Sequence, residues 1–190
     1  MNDQADSFRH LSEETVYQGY IWSVARAEFE APDGSTFVRD IVRSSGAVAA
    51  IPLWYRDGVP MITMVRQYRP PFDRYVLEIP AGVRDVPDEP TVETARRELI
   101  EEIGVHAAVL EPLAQFYPSA GMTDSILHVF VATELTAVSR DTHGPEEDDM
   151  QIVDMSLDEA VDLVETGIIH DAKSIIGILM VHRRLHTSTV

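Results

Sequence analysis

The segment ARRELIEEIGV, Ala95 to Val105, sets Glu98, Glu101 and Glu102 close together. On a helix, at about 100° per residue, these carboxylates fall within an arc of roughly 100°. Val92, Ala95, Leu99 and Ile103 cluster about 100° away as an apolar stripe. The acids therefore flank the buried face instead of opposing it. Like charges at i,i+3 and i,i+4 cost only a few tenths of a kcal/mol each, so a solvated acidic face is one reading. The other is a cation site. Carboxylates with no imidazole or thiolate among them suit hard, oxygen-seeking ions, Mg²⁺ or Mn²⁺ rather than Zn²⁺.

The elements that must position these acids can be read from the surrounding pattern. A helix is expected from about Pro90 to Ile103, with Pro90 suited to its first position and Gly104 placed to end it. GAVAAIPLW (Gly46 to Trp54) and MITMVRQYR (Met61 to Arg69) read as strands joined across Arg56 to Gly58. Both are nearly continuous apolar runs, as in strands covered on two faces. Tyr17 to Val42 suggests a hairpin turning at Ala31 to Ser35. Further strands are expected near Val109 to Phe116 and Ile126 to Ala132, then an acidic loop, Thr142 to Asp149. Ser156 with Glu159 forms a capping box for a helix ending at Gly167, and an apolar helix follows over Ala172 to Leu185. Strands mixed with a few helices predict an α+β fold: a mixed β-sheet sandwiched between helices, α/β/α, with an N-terminal β-hairpin extension. The expected organisation is a flexible tail at 1–14, the β extension at 15–44 and the main domain at 45–190.

The 190 residues, 45% hydrophobic and 25% charged, are those of an ordinary globular domain. No apolar run reaches the roughly 18 to 20 residues of a membrane span. The polar N-terminus is not a secretory signal, and the absence of cysteine fits a reducing cytoplasm. With 32 Asp+Glu against 15 Lys+Arg, the formal charge of -17 disfavours nucleic acid and anionic membranes as partners. The same field repels a phosphorylated small molecule unless cations or local arginines reverse it.

Reading back from Arg97-Glu98-Leu99-Ile100-Glu101-Glu102-Ile103-Gly104-Val105, Glu89 stands eight positions before Arg97 and Gly82 seven before Glu89. This resembles the Nudix box. Every signature position from Glu89 onward matches; the first spacer holds six residues where the usual pattern has five. The resemblance implies hydrolysis of a nucleoside diphosphate linked to a further group, with Glu98, Glu101 and Glu102 holding Mg²⁺ (or Mn²⁺). Glu98 and Glu102 are also its expected catalytic residues. Gly82, Glu89, Arg97 and Gly104 are implied as structural members of the box, Arg97 orienting a box glutamate such as Glu89 through a bidentate pair. The Ala81 carbonyl resembles an additional metal ligand.

The flanks resemble the ADP-ribose pyrophosphatase branch: Gln67-Tyr68-Arg69, Leu77-Glu78-Ile79-Pro80-Ala81-Gly82, and Phe116-Tyr117-Pro118-Ser119-Ala120-Gly121. That likeness implies that Arg66, Arg69 and Glu78 contact substrate, and that Glu146 or Glu147 in the acidic loop deprotonates the attacking water. Solvated strand-end arginines and a solvated acidic loop are the alternatives. Glu78 interrupts an apolar run, which calls for a partner or a metal. The likeness also implies a nucleotide-sugar substrate and a homodimer domain-swapped through the N-terminal strands. Ala120 stands where this branch usually carries proline, which leaves GDP-mannose, other sugar nucleotides and oxidised nucleotides open. A non-catalytic nucleotide-sugar sensor is a further alternative. The seven histidines are read as unremarkable, and none of Trp22, Phe37 and Tyr68 is assigned to the nucleobase.

Overall fold

The computed structural model describes residues 7–140 and 149–187. Ten strands and three α-helices are found among them: β1 Arg9–Gln18, β2 Trp22–Glu30, β3 Thr36–Ser44, β4 Ala47–Arg56, β5 Val59–Arg69, β6 Arg74–Glu78, β7 Ala81–Val83, α1 Thr91–Ile103, β8 Val105–Phe116, β9 Leu127–Ala137, β10 Gln151–Ser156, α2 Leu157–Glu165 and α3 Ala172–Thr187. They fall into two units. Of the described residues, one holds those up to Gly46 with Tyr117–Ile126; the other holds Ala47–Phe116 and those from Leu127 onward.

The first unit is built on a three-stranded antiparallel sheet in the order β1-β2-β3. The expected hairpin turn is present: Gly34, at φ 83, donates its N–H to Ala31, and Asp33 accepts from the Ser35 amide. Residues 9–14, expected in a loose tail, instead pair with β2 as the first half of β1. Their polar composition hid the strand, because every β1 residue is exposed and no apolar alternation was needed.

The second unit carries a mixed sheet in the order β10-β5-β4-β9-β8, with β6 on β5 and β7 on β4. β4 and β9 are parallel, and the other pairings are antiparallel. β4 shows why its sequence is apolar throughout. Val48 and Ala50 face one core with Ala95, Leu99 and Ile103 of α1. Ala49, Ile51 and Leu53 face the other, with Leu157 and Ala160 of α2 and Ile178 and Val181 of α3. The period-2 alternation thus places helices on both faces of the sheet, giving the expected α/β/α layering. β10 is an addition to the expected strands; its six residues pair with Met61–Arg66 of β5. No helix among the described residues is long and apolar enough to cross a membrane.

Candidate active site

α1 opens after Pro90, which is its cap rather than its first residue, and ends at Gly104 in the left-handed conformation, φ 65. Along it Thr94, Glu98 and Glu102 form a buried stripe beside Ala95, Leu99 and Ile103. Glu98 is 9% exposed and Glu102 only 5%. Burying two carboxylates on adjacent turns is costly without a counter-charge, so the solvated-face reading fails for this pair. Glu101 is less buried, and its carboxylate lies 3.0 Å from the Arg97 nitrogen that also meets Glu98.

β7 supplies the opposing wall. The Ala81 N–H donates to Glu102 Oε2 at 2.9 Å, and β7 is held in place by pairing with Ala47–Ala49 of β4. A Cβ on Gly82 would stand 1.9 Å from the carboxyl carbon of Glu98. Only glycine lets the strand approach this carboxylate. The six-residue spacer is absorbed between Gly82 and Glu89, where Asp88 takes a φ of 60.

Arg97 is a hub. Its guanidinium lies 3.1 Å from Glu98, 3.0 Å from Glu101, 2.8 Å from Asp85 and 3.5 Å from Glu89. The bidentate pair expected with Glu89 is absent, since that contact is single and the longest of the four. The closest partner, Asp85, lies in the spacer and carried no sequence signal.

The bidentate pair lies elsewhere. Arg69 Nε and Nη2 donate to the two oxygens of Glu78 at 2.7 Å each. Glu78 is 2% exposed and also ion-pairs with the buried Lys173, which sits 3.0 Å from Asp171. Burial pushes the Glu78 carboxyl up, but Arg69 and Lys173 together hold it below the usual carboxylate range. The partner that Glu78 required is therefore Arg69 and Lys173. Sequence reasoning does not single out Asp171, just before α3, or Lys173 in its first turn, because the residues that follow them, Ile175 to Val181, read as apolar. The signal was the Glu78 charge itself, which called for a partner; Arg69 of the same hairpin supplies one, and Lys173 adds a second from α3. Arg69, Phe72, Arg74, Glu78, His170 and Lys173 line part of a cleft of about 440 Å³.

Arg66 and Arg69, three residues apart on β5, lie on opposite faces of the strand. Arg66 stacks 4.4 Å over the Tyr75 ring and donates to Gln151 at 3.2 Å. The Tyr75 hydroxyl in turn donates to Asp149, the last residue of the acidic segment. The structure thus separates the two arginines that the sequence treated together. Glu146 and Glu147 lie outside the described residues.

Burial raises the Glu102 carboxyl to about 8, Glu98 adds to the rise, and the Ala81 amide together with the Lys173 and Arg69 charges opposes it. A pair of acids of which one resists ionising is an incomplete electrostatic arrangement. A divalent cation completes it, and the donor set is all oxygen, as Mg²⁺ or Mn²⁺ requires. Glu98 and Glu102 therefore fit a metal, with Glu101 adjoining them through Arg97.

Fold and cluster together define a class: an α/β/α scaffold whose loop-helix-loop carries buried carboxylates that could hold a divalent cation. The Nudix domain family matches residues 44–177. The ADP-ribose pyrophosphatase of Bacillus subtilis (strain 168) is 35% identical over 164 residues, 86% of each chain. The methanol dehydrogenase activator of Bacillus methanolicus is 34% identical over 168 residues, covering 88% of this chain and 89% of that one. A crystal structure of an ADP compounds hydrolase superposes with a TM-score of 0.82 over 99% of both chains at 24% identity, which shows the shared fold. The chain belongs to the Nudix family, and it is a Nudix hydrolase. Enzymes of this family generally use divalent metal ions.

Proposed function

We propose that this Nudix hydrolase cleaves the pyrophosphate of a nucleoside diphosphate sugar, ADP-ribose in particular, releasing AMP and ribose 5-phosphate. The observation that carries this reading is the buried Glu98–Glu102 pair closed over by Gly82, beside a cleft bordered by Arg69, Arg74 and Lys173. The ADP-ribose assignment draws its support from the Bacillus subtilis relative.

Glu98, Glu101 and Glu102, with the Ala81 carbonyl, would hold Mg²⁺ or Mn²⁺. The ion supplies charge neutralisation on the phosphate oxygens and a more acidic water. Glu78 and Lys173 keep the Arg69 guanidinium in one orientation, so that its remaining N–H donors can meet a phosphate oxygen without a rotamer search. Arg66 borders the anchored end of the acidic segment through Tyr75. A carboxylate of that segment, Glu146 or Glu147, takes the proton from water as the water oxygen bonds to phosphorus. The P–O bond to the bridging oxygen breaks, and the leaving phosphate carries away the electron pair.

The chain is taken to work in the cytoplasm as a homodimer. Support for the dimer comes from β1, whose ten residues are all exposed although they include Leu11, Val16 and Tyr17.

The test is phosphatase-coupled phosphate release with ADP-ribose, GDP-mannose and an oxidised nucleotide, each with Mg²⁺. ADP-ribose should show the highest kcat/KM, by about tenfold or more, and Glu102→Gln should abolish most turnover with the fold retained. Faster hydrolysis of another substrate overturns the ADP-ribose reading; tight binding without turnover favours a sensor. Size-exclusion chromatography with light scattering checks the dimer.

A further inference from the structure

The histidines that the sequence left without a role include a pair at i,i+4 on α3, His182 and His186. Such a pair lies on one helix face, one turn apart, and here the ring centroids are 4.1 Å apart. Asp158, in the first turn of α2, brings a carboxylate oxygen to 3.6 Å from His182 Nε2. One ligand atom from each of the three residues lies within 4.8 Å of the others.

We propose that Asp158, His182 and His186 form a second metal site, selective for a borderline transition-metal ion such as Zn²⁺. Three observations carry this independently of the hydrolase reading. First, the Asp158–His182 separation is long for a hydrogen bond. It is close to the roughly 3.3 Å between two ligand atoms that share one tetrahedral ion at about 2.0 to 2.1 Å. Second, His186 Nδ1 lies 2.8 Å from the His182 carbonyl. As that carbonyl only accepts, Nδ1 is the protonated nitrogen, which leaves the Nε2 lone pair for a metal. This is the backbone support that ligating histidines commonly have. Third, the ligands come from two helices and remain partly or largely exposed, His182 at 33% and Asp158 at 73% of their side chains. Small χ rotations can then close the remaining gap without repacking the core.

The donor set separates this site from the carboxylates of α1. Two imidazoles and one carboxylate favour Zn²⁺, Co²⁺, Ni²⁺ or Cu²⁺ and discriminate against Mg²⁺. The sites are also apart in the fold. α1 packs on one face of the sheet and α2 with α3 on the other. Along α3, His182 and His186 lie roughly 13 to 20 Å beyond Lys173 at 1.5 Å per residue. An ion held there would clasp the start of α2 to the end of α3, with a coordination position left to water.

The experiment titrates the full chain with Zn²⁺ alone, by calorimetry and by thermal unfolding, beside Asp158→Asn and the double variant His182→Gln/His186→Gln. The wild type should bind one Zn²⁺ more per chain than the double variant, with Asp158→Asn intermediate in affinity. At a hundredfold excess over Kd, the wild-type Tm should gain about 5 to 10 °C relative to the double variant. In chelator all three should unfold within a few degrees of one another, and Mg²⁺-supported hydrolysis should be equal, because Asp158 and His186 are exposed, His182 is partly so, and all three belong to helices on the sheet face opposite the catalytic carboxylates. An equal Zn²⁺ count and equal Tm gain in wild type and double variant overturns the site. A Zn²⁺ effect that is lost only in Glu102→Gln assigns the ion to α1 and overturns it equally.

Discussion

Removing the negative charge of Glu102 should stabilise the metal-free protein, and increasingly so as pH rises. Its folded-state pKa is about 8 against an ordinary 4.5. A carboxyl raised in the folded state binds its proton more tightly there than in the unfolded chain. The stability it contributes is complete below about pH 4.5 and is lost as pH climbs through 8. Within that window the slope is about 1.4 kcal/mol per pH unit. From about pH 5.5 to about pH 7.5 the loss is then about 2.7 kcal/mol, or about 5 to 11 °C in Tm for a chain of this size. The Glu102→Gln side chain is neutral at every pH, and its oxygen can still accept the Ala81 N–H. The difference in Tm between the Glu102→Gln variant and the wild type therefore reports Glu102 together with its coupling to Glu98, since titrations remote from this pair cancel. Thermal unfolding in chelator across that range is the assay. Parallel curves, differing by less than about 1 °C over the window, refute the claim that Glu102 is held neutral by burial. Saturating Mg²⁺ should reverse the order, because the ion displaces the proton and the variant loses a ligand.

Gly82→Ala should cut turnover at least about a hundredfold, because its Cβ cannot coexist with the Glu98 carboxylate as placed, and steady-state rates under saturating metal check this. Lys173→Met removes one of the two cations on a carboxylate that is 2% exposed, and should cost about 3 kcal/mol in urea unfolding while raising KM. Tyr75→Phe deletes the hydroxyl that holds Asp149, and should lower kcat with little change in KM or Tm.

The helix and its carboxylates were legible because both obey fixed spacings: the 3.6-residue period set the apolar stripe, and Pro90 and Gly104 bounded it. The two-faced core of β4 was equally plain from its unbroken apolar run. β1 was not, because a strand exposed along its whole length carries no hydrophobic pattern. β10 is equally hard to read; its exposed Gln151 and Ile152 blur the period, and the neighbouring capping box points toward the helix instead. At the site, Glu78 announced that it needed a partner but not which one. Lys173 stands 95 residues away in sequence, and a contact of that range is set by tertiary packing alone. Arg66 and Arg69 look equivalent in sequence, yet the two-residue pleat gives them different surroundings.

The junction at Gly104 bears on how this chain can change length. α1 ends there and β8 starts at Val105 with no linker, while a Cβ at Gly104 would meet the Val138 carbonyl at 2.8 Å. An insertion at that point would rotate the carboxylate stripe relative to the sheet. The segment before α1 behaves in the opposite way, having already taken in one extra residue around exposed Pro87 and Asp88. Lineages and protein engineers alike should find short additions at Pro87 and Asp88 accepted only while Asp85 and Glu89 keep their hold on Arg97. Even a single residue added after Ile103 should silence the enzyme.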